Sequence, residues 1–404
     1  MSGTARSTSV RVAGPLAPYA PGFREELLAR GYALASAATH LLLMAQISRW
    51  LERQGLDAED LTAIRLVEFL ARNREIGRRF PRSASGLMPL LSYLRGVGVA
   101  PPASAAVLTE GEKMLEQFRH YLLHERGLAD GTVTGYVHAA ALLLKATGYP
   151  GGRDLGQLGP RDINDFLVRE LDRRSVASAK SLVSGLRSLL RFFHVQGITR
   201  VSLSGSVPTL TGWSGSSVPK AINAEWVRAL LTSCDRRTSK GRRDFAVLTL
   251  LARLGMRVGE VAALELADVD WRGGQILVRG KDKRLERLPI PVDVGEALAG
   301  YVQRGRPREA HPSLFLRAVA PHGPLTASAI KVVVHAACDR AGLPSLGAHR
   351  LRHTVASELL RHGAGLPEIG QVLRHRSIAS TAIYAKVDTE ALRQLARPWP
   401  GGAA

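Results

Sequence analysis

The sequence has few cysteines, few aromatic residues and no long apolar runs. Its two cysteines, Cys234 and Cys338, lie far apart and match no metal-binding spacing, which indicates a reducing compartment and argues against a disulfide scaffold or a zinc site. No apolar run reaches the length of a membrane-spanning helix, and the N-terminus lacks a secretion-signal pattern. We therefore expect a cytoplasmic protein with no membrane partner.

Lysine is also scarce, because the excess of basic residues consists mainly of arginine. Nine of the 55 basic residues are lysines, and the formal net charge is +20. Residues 1–220 carry +9 (27 basic minus 18 acidic) and residues 221–404 carry +11 (28 minus 17), so the charge is not confined to a tail. Two basic halves are typical of a protein that holds double-stranded DNA through phosphate contacts, which predicts association with the nucleoid. A genome rich in arginine codons is the alternative explanation.

The residues that point to chemistry lie in the last third of the chain. Six residue types that are common one by one follow each other in a defined order within 128 residues. They are Arg257, Lys281, His349, Arg352, His375 and Tyr384. This order predicts cleavage of a phosphodiester by a tyrosine.

Arginine suits a phosphodiester under attack, because its planar fork donates two parallel hydrogen bonds and keeps its proton. Fixed cations placed where negative charge grows stabilise the transition state more than the ground state. Arg257 and Arg352 are therefore predicted to clamp one phosphate without a metal ion. His349 lies three residues before Arg352, so a helix places both side chains on one face.

The predicted nucleophile is Tyr384, which needs help to lose its proton. A phenol with a pKa of about 10 is ionised in roughly one molecule in a thousand at neutral pH. His349 is the expected general base. Lys281, near two arginines, is expected to have a lowered pKa and to protonate the leaving 5′-oxygen. His375 is expected to donate a hydrogen bond to a phosphate oxygen.

Each of these residues also has an ordinary explanation when it is taken alone. Arg257 could lie on the surface, and Lys281 or its neighbour Lys283 could be a solvated turn residue. His349 and His353 could be plain helix residues, which is the preferred interpretation of His353. His375 could cap a helix, and Tyr384 could be a core aromatic residue. These explanations account for the residues separately and not for their joint order.

The C-terminal region resembles the tyrosine recombinases, or phage integrases. The resemblance rests on the motifs in the segments 254–261, 278–281, 349–354, 373–375 and 380–384. Two positions depart from the family pattern: Arg374 replaces the usual glycine, and Gly259 replaces a serine. We interpret both changes as tuning of turn geometry or, for Arg374, as an added phosphate contact.

The resemblance implies cleavage that leaves a 3′-phosphotyrosine and a free 5′-hydroxyl, followed by strand exchange through a four-way junction. It implies no metal and no other cofactor. The implied assembly is a homo-tetramer on two DNA sites, with a partner recombinase or accessory protein as a further possibility. A mobile-element recombinase is favoured over a chromosome-dimer resolvase because of the extra N-terminal length. Two further functions stay open, namely a DNA-binding protein without catalysis and a relaxing topoisomerase.

The predicted fold is mainly α (α+β), with a helical SAM-like core-binding domain and a mostly helical catalytic domain that contains a small antiparallel sheet. The predicted segments are an extra N-terminal module, the core-binding domain, a Ser/Gly/Pro-rich linker and the catalytic domain. Their bounds are 1–106, 107–201, 202–220 and 221–404. Three basic residues of the core-binding domain are candidate DNA contacts, and so are two of the catalytic domain. They are Lys180, Arg187, Arg191, Lys283 and Arg374.

The N-terminal segment repeats part of the core-binding domain. Residues 61–70 parallel residues 158–167, and residues 87–99 parallel residues 186–198. We therefore predict a second helical module of the same type, which would contact additional DNA or a neighbouring protomer. Residues 1–20 are expected to be disordered, and the tail 387–395 is expected to be amphipathic.

Overall fold

The computed structural model describes residues 10–77, 86–102, 108–152, 154–209, 221–280, 284–375 and 377–387. The chain forms two compact units. One unit consists of residues 101–216, and the other combines residues 1–100 with residues 217–404. Within the described part of the chain, no helix combines the length and the apolar character needed to cross a bilayer.

The predicted fold class is confirmed, since helices dominate and one small sheet is present. The α-helices of the first hundred residues are α1 (Ala20–Ala29), α2 (Leu34–Arg53), α3 (Ala63–Glu75) and α4 (Met88–Gly96). Those of the second unit are α5 (Glu110–His120), α6 (Asp130–Thr147), α7 (Pro160–Leu171) and α8 (Val176–Val195). The C-terminal region contains α9 (Ala224–Thr232), α10 (Ser239–Arg253), α11 (Val258–Ala262), α12 (Val292–Arg304), α13 (Ala327–Arg340), α14 (His349–Arg361), α15 (Leu366–Val372) and α16 (Ile378–Thr381).

The sheet has the order β1 (Val269–Asp270), β2 (Gln275–Arg279), β3 (Leu285–Pro289), and all its strands are antiparallel. Residues 275–279 and 285–290, which are β-favoured and flank a charged turn, are predicted as strands from the sequence alone, and they form β2 and β3. On β2 the alternate residues Ile276 and Val278 are fully buried, whereas β3 is only partly covered. The residues that join β2 to β3, which include Lys281 and Lys283, lie outside the described residues.

The N-terminal hundred residues have a hydrophobic core of their own, built from α1 to α4 and the segments between them. The expectation of disorder over residues 1–20 is wrong from Val10 onward. Leu16 is fully buried in this core, and its backbone N–H donates to Ser48 Oγ at 3.0 Å. Apolar residues such as Leu16 are therefore enough to anchor this segment.

The internal repeat is visible in the structure. In both copies a short 3₁₀ turn that begins after an aspartate, Asp57 or Asp154, leads into a helix, α3 or α7. Three buried apolar pairs match: Leu66 with Ile163, Phe69 with Phe166, and Leu70 with Leu167.

The two copies also end their last helix in the same way. Gly98 and Gly197 both have positive φ, 76° and 69°, in the left-handed turns that follow α4 and α8. In each turn the N–H one residue later donates back to the helix, from Val99 to the Leu94 carbonyl and from Ile198 to the Phe193 carbonyl. The internal repeat in the sequence therefore corresponds to a repeat in the structure.

The second unit packs α5 to α8 around one core, which also takes in Leu203 and Val207 from the segment predicted as a linker. A π-helical turn, Tyr121–Glu125, follows α5. The guanidinium of Arg187 donates to the Val207 carbonyl at 3.0 Å and to Thr209 Oγ1 at 2.8 Å, so it ties α8 to this segment. Arg191, one turn further on, is exposed. Lys180 lies on the same helix.

Candidate active site

The first arginine of the site is positioned by a tight turn after α10. Gly255 has a φ of +57°, and a Cβ at this position would lie 2.8 Å from Leu373 Cδ2. Both the backbone conformation and the lack of space therefore favour glycine. Two residues later Arg257 caps the N-terminus of α11. Its backbone N–H donates to Glu260 Oε2 at 2.8 Å, and its guanidinium donates to Glu260 Oε1 at 2.6 Å. The turn therefore fixes both the backbone and the side chain of Arg257.

The second arginine, Arg352, lies on α14 and is only 1% exposed. Its guanidinium donates to the Gly255 carbonyl at 2.6 Å and to the Leu373 carbonyl. Burial, followed by the charges of Arg257 and Arg374, lowers the pKa of Arg352 to about 10. The side chain is still a cation at neutral pH, and it joins the turn before α11 to the turn after α15.

Both guanidinium groups reach the same turn. Arg257 Nη2 donates to the Arg374 carbonyl at 3.2 Å, one residue after the carbonyl that Arg352 contacts. The two cations are close enough for Arg257 to lower the pKa of Arg352. Residues that are 95 positions apart in the sequence therefore converge at Leu373–Arg374, immediately before His375.

Tyr384 is 1% exposed, in a 3₁₀ helix formed by Ala382–Val387. Its ring packs in a small core that includes Val355, Ile369 and Leu373, and lies parallel to the His375 ring at a centroid distance of 6.2 Å. Its hydroxyl oxygen lies 2.9 Å from His353 Nδ1. Burial raises the pKa of Tyr384, although the charges of Arg352 and Arg257 act in the opposite direction. The phenol is therefore protonated at neutral pH and needs a base.

Two histidines lie on one face of α14, and one of them, His353, contacts the phenol. The rings of His349 and His353 have centroids 4.4 Å apart, and His353 is the described partner of the Tyr384 hydroxyl. Burial, and then the charges of Arg352 and Arg257, lower the pKa of His349. From the sequence, His353 was interpreted as an ordinary helix residue. Its i+4 spacing from His349 was the available signal, because that spacing places both rings on one face.

His375 follows the Leu373–Arg374 turn and contacts Thr381, with Nδ1 and Oγ1 2.7 Å apart. Burial, followed by the charges of Arg352 and Arg257, lowers the pKa of His375 to about 4. The ring is therefore neutral at pH 7 and still carries one N–H that can donate to an anion. His375, Arg374 and Thr381 also line an open cavity of about 360 Å³.

The site combines two fixed guanidinium groups, neutral imidazoles and one protonated phenol. This set can bind an anion with the arginines, and it can take a proton from the phenol with a histidine. Among the residues that the structure covers, no group of three or more His, Cys, Asp or Glu side chains is arranged to hold a metal ion.

Comparison with known proteins gives the family. Residues 220–391 match the Phage integrase family, and residues 115–197 match the Phage integrase, N-terminal SAM-like domain. The protein y4rA of Sinorhizobium fredii is 39% identical over 397 residues, which covers 96% of each chain. Tyrosine recombinase XerD of Mycobacterium tuberculosis is 31% identical over 305 residues, which covers 71% of this chain and 96% of XerD. The chain belongs to the tyrosine recombinases of the phage integrase family.

Solved structures of tyrosine recombinases share the fold. A XerH site-specific recombinase bound to a palindromic difH substrate has a TM-score of 0.54 and 20% identity, and covers 70% of this chain and 83% of its own. A lambda integrase (75–356) dimer bound to a COC′ core site has a TM-score of 0.51 and 17% identity, with coverage of 67% and 94%. This likeness shows the shared fold, and the family and sequence matches make the chain a site-specific DNA recombinase.

The structure brings five of the six predicted catalytic residues of this recombinase into one region. Arg257, Arg352 and His375 meet at the Leu373–Arg374 turn, and Tyr384 lies against His375. His349 adjoins the group through His353. Lys281 lies outside the described residues, so its predicted role as a general acid stays a prediction.

The candidate DNA contacts differ in how far they are available to a partner. Arg191 is exposed, whereas Arg187 is already bonded to the chain segment after α8. Arg374 is 8% exposed and donates to Glu260 Oε2 at 2.8 Å, so its guanidinium is directed into the protein. Lys180, on α8, stays a prediction. Lys283 lies outside the described residues.

The neutral histidines of the recombinase predict a pH dependence of stability. Burial is the largest cause that lowers the pKa of His353 and of His375 from 6.5 to about 4. Between these values the unfolded chain binds protons that the folded chain does not. The free energy of unfolding should therefore fall as the pH drops from about 6.5 to about 4, by up to about 1.4 kcal/mol per pH unit for each histidine. Urea midpoints measured at intervals across this range check the slope.

The double variant His353→Gln/His375→Gln is the comparison for this pH prediction. It removes both protonation sites, so its urea midpoint should change less between pH 6.5 and pH 4 than that of the wild type. An equal slope in the two proteins would show that these histidines do not account for the loss at acid pH.

Proposed function

We propose that this protein cleaves and rejoins DNA at specific sites through a 3′-phosphotyrosine formed by Tyr384, in the service of a mobile element. The observation that carries the proposal is the convergence of Arg257 and Arg352 on the Leu373–Arg374 turn, next to the phenol. Two fixed cations beside a nucleophile are what a transesterification at phosphorus needs, because negative charge grows on the non-bridging oxygens.

In the proposed step, the Tyr384 oxygen forms a bond to phosphorus while the bond from phosphorus to the 5′-oxygen breaks. The phenol gives its proton to a histidine of α14, and the 5′-oxygen takes a proton from Lys281. In the proposed mechanism, the contact of the Tyr384 hydroxyl with His353 belongs to the DNA-free state. His349, on the same face and beside the arginines, is the base proposed for the step itself.

The proposed substrate is double-stranded DNA, and the proposed assembly is a tetramer that joins two sites. DNA is the bound substrate in the related XerH and lambda integrase structures. The proposed mobile-element role rests on the extra N-terminal length, which this chain shares with an integrase/recombinase relative. The match to y4rA covers 96% of this chain, whereas the match to XerD leaves more than a quarter of it uncovered. Chromosome-dimer resolution is the competing role within the same enzyme class.

A two-site plasmid assay tests the proposal. The site is a duplex that the full chain selects from a random-sequence library, cloned twice into one supercoiled plasmid. Deleted or inverted plasmid products support recombination. Relaxed plasmid without joined products supports a topoisomerase, and binding without any strand breakage supports a DNA-binding protein that has lost catalysis.

The N-terminal module adds a further component to this proposal. It repeats the core-binding helices, but Met88 and Ser92 stand at the positions that correspond to Arg187 and Arg191. Ile64 and Val67, which are 72% and 58% exposed, correspond to Arg161 and Asn164. The exposed apolar pair on α3 and the absence of these two arginines favour a neighbouring protomer over additional DNA as the partner of this module.

A chain that begins at residue 101 extends the plasmid assay to this module. If the module contacts a protomer, the shortened chain should protect the same length of DNA but pair two sites less well. A shorter footprint would favour a DNA contact. Unchanged binding and recombination would remove both roles.

A further inference from the structure

Arg374 adopts a backbone conformation that side chains rarely take. Its φ of 56° lies in the left-handed region, and it is the one non-glycine residue with positive φ in the part of the chain that the structure describes. A Cβ makes this conformation unfavourable, so glycine is the expected residue in such a turn. The strain indicates that the side chain makes a compensating contact.

The compensating contact is with the carboxylate that holds Arg257. Glu260 is 5% exposed, and its two oxygens are divided between two arginines. Oε1 accepts from Arg257 Nη1 at 2.6 Å, and Oε2 accepts from Arg374 Nη2 at 2.8 Å. Burial alone would raise the pKa of Glu260, but the charge of Arg374 and the hydrogen bonds from Arg257 hold it below its ordinary value. Glu260 is therefore an anion bonded to two cations.

The net charge of Arg257, Glu260 and Arg374 together determines whether this cluster attracts a phosphate. With Arg257 and Glu260 alone, the cation is neutralised by its own orienting carboxylate. Arg374 adds a second cation, which leaves the cluster with a net charge of +1. The backbone carbonyl of Arg374 also accepts from Arg257 Nη2 at 3.2 Å. Arg374 therefore acts on Arg257 twice, through Glu260 and through its own main chain.

We propose that Arg374 is a positioning residue for strand cleavage, which binds Glu260 so that Arg257 stays in place and keeps its charge for the phosphate. The inference rests on the proposed function, because it assigns Arg257 to the scissile phosphate. A direct phosphate contact by Arg374, which the sequence suggested, does not fit the structure. The guanidinium is buried, and two of its nitrogens are already bonded, one to Glu260 and one to the Val372 carbonyl at 3.0 Å.

Four proteins form the cycle that tests this role: the wild type, Arg374→Gly, Glu260→Gln and the double variant. Glycine relieves the backbone strain, so Arg374→Gly is expected to fold. The probe is the duplex selected by the full chain, nicked beside the mapped cleavage point so that the covalent product is trapped. Arg374→Gly should lower the trapping rate by about ten- to a hundredfold, the range for residues that orient a reacting group, with little change in duplex binding.

The double variant separates positioning from a general loss of charge. If Arg374 acts through Glu260, Arg374→Gly should cost much less in the Glu260→Gln background than in the wild type. Arg374→Lys keeps the charge and should recover most of the lost rate. Arg243→Ala is the matched control, because Arg243 forms a similarly buried pair with Asp244. This control should lower thermal stability and leave trapping by the folded protein unchanged.

A DNA-free measurement keeps this inference distinguishable from the proposed function. Urea midpoints of the same four proteins provide this measurement: if Arg374 binds Glu260, Arg374→Gly should shift the midpoint much less in the Glu260→Gln background than in the wild type. Failure of the wild type to form an adduct would overturn the proposed function, and the urea cycle would still decide the Arg374–Glu260 contact. A wild-type trapping rate in Arg374→Gly, or an equal loss in both backgrounds, would overturn the positioning role.

Discussion

Replacement of Tyr384 by phenylalanine should abolish the covalent protein–DNA product and leave DNA binding nearly unchanged. The change removes one oxygen, which is the predicted nucleophile, and keeps the ring that packs against His375. Loss of a nucleophile typically lowers the rate by about four to six orders of magnitude. A denaturing gel of the trapped, nicked duplex measures the adduct, and a native gel measures binding.

Tyr301→Phe is the matched control for this variant. Tyr301 is also 1% exposed, and its hydroxyl accepts a hydrogen bond from the Leu316 N–H at 3.1 Å, so both variants lose a buried, bonded hydroxyl. The control should lose stability and still form the adduct. An adduct formed by Tyr384→Phe would assign the nucleophile to another residue and refute the proposed mechanism.

The resting position of Tyr384 has a consequence for the reaction. The hydroxyl is held by His353, inside a small core. In the proposed mechanism, a phenol this deeply buried has to move before it can reach a DNA phosphate. The polar and ring contacts that hold it in place include the stacking on His375 and the hydrogen bond to His353. The proposed mechanism therefore requires DNA binding to replace these contacts before the phenol attacks.

Five of the six residues singled out in the sequence lie close together in the structure, although they are spread over 128 positions of the chain. His349 and Arg352 share a face of any helix that contains them. The strands β2 and β3 were predicted from their β-favoured residues around a charged turn. These features depend on neighbours in the sequence, so local reasoning identifies them.

The partners of Tyr384 and Arg374 were beyond local reasoning. Whether His349 or His353 holds the phenol depends on a contact across 31 residues, and Glu260 binds Arg374 across 114 residues. Sequence spacing cannot rank two histidines on one helix face. It also does not indicate that Arg374 adopts a left-handed backbone conformation with a buried side chain, because glycine is the usual residue in that conformation. The burial of Leu16 was missed for a similar reason, since its partner Ser48 lies 32 residues away.

Replacement of Arg352 by alanine should damage both catalysis and stability, whereas Arg257→Ala should damage mainly catalysis. Each arginine is predicted to stabilise the transition-state phosphate, so each variant should lose about 10²- to 10³-fold in the cleavage step, with DNA binding largely retained. The difference lies in burial. Arg352 is 1% exposed and ties the Gly255 carbonyl to the Leu373 carbonyl, whereas the Arg257 side chain is 37% exposed.

Removal of Arg352 leaves two buried carbonyl groups without a donor, at a cost of about 1–3 kcal/mol each. Arg257→Ala leaves Glu260 bonded to Arg374 and to the backbone N–H of residue 257, so its cost in stability should be smaller. Urea unfolding and single-turnover cleavage of the nicked duplex, measured on the same preparations, separate the two effects. If both variants lose DNA binding in parallel with cleavage, the arginines serve as anchors for the duplex rather than as catalysts. If instead Arg352→Ala is as stable as Arg257→Ala, the two carbonyl contacts contribute little, and the turns on either side of the phosphate site are held by their apolar packing.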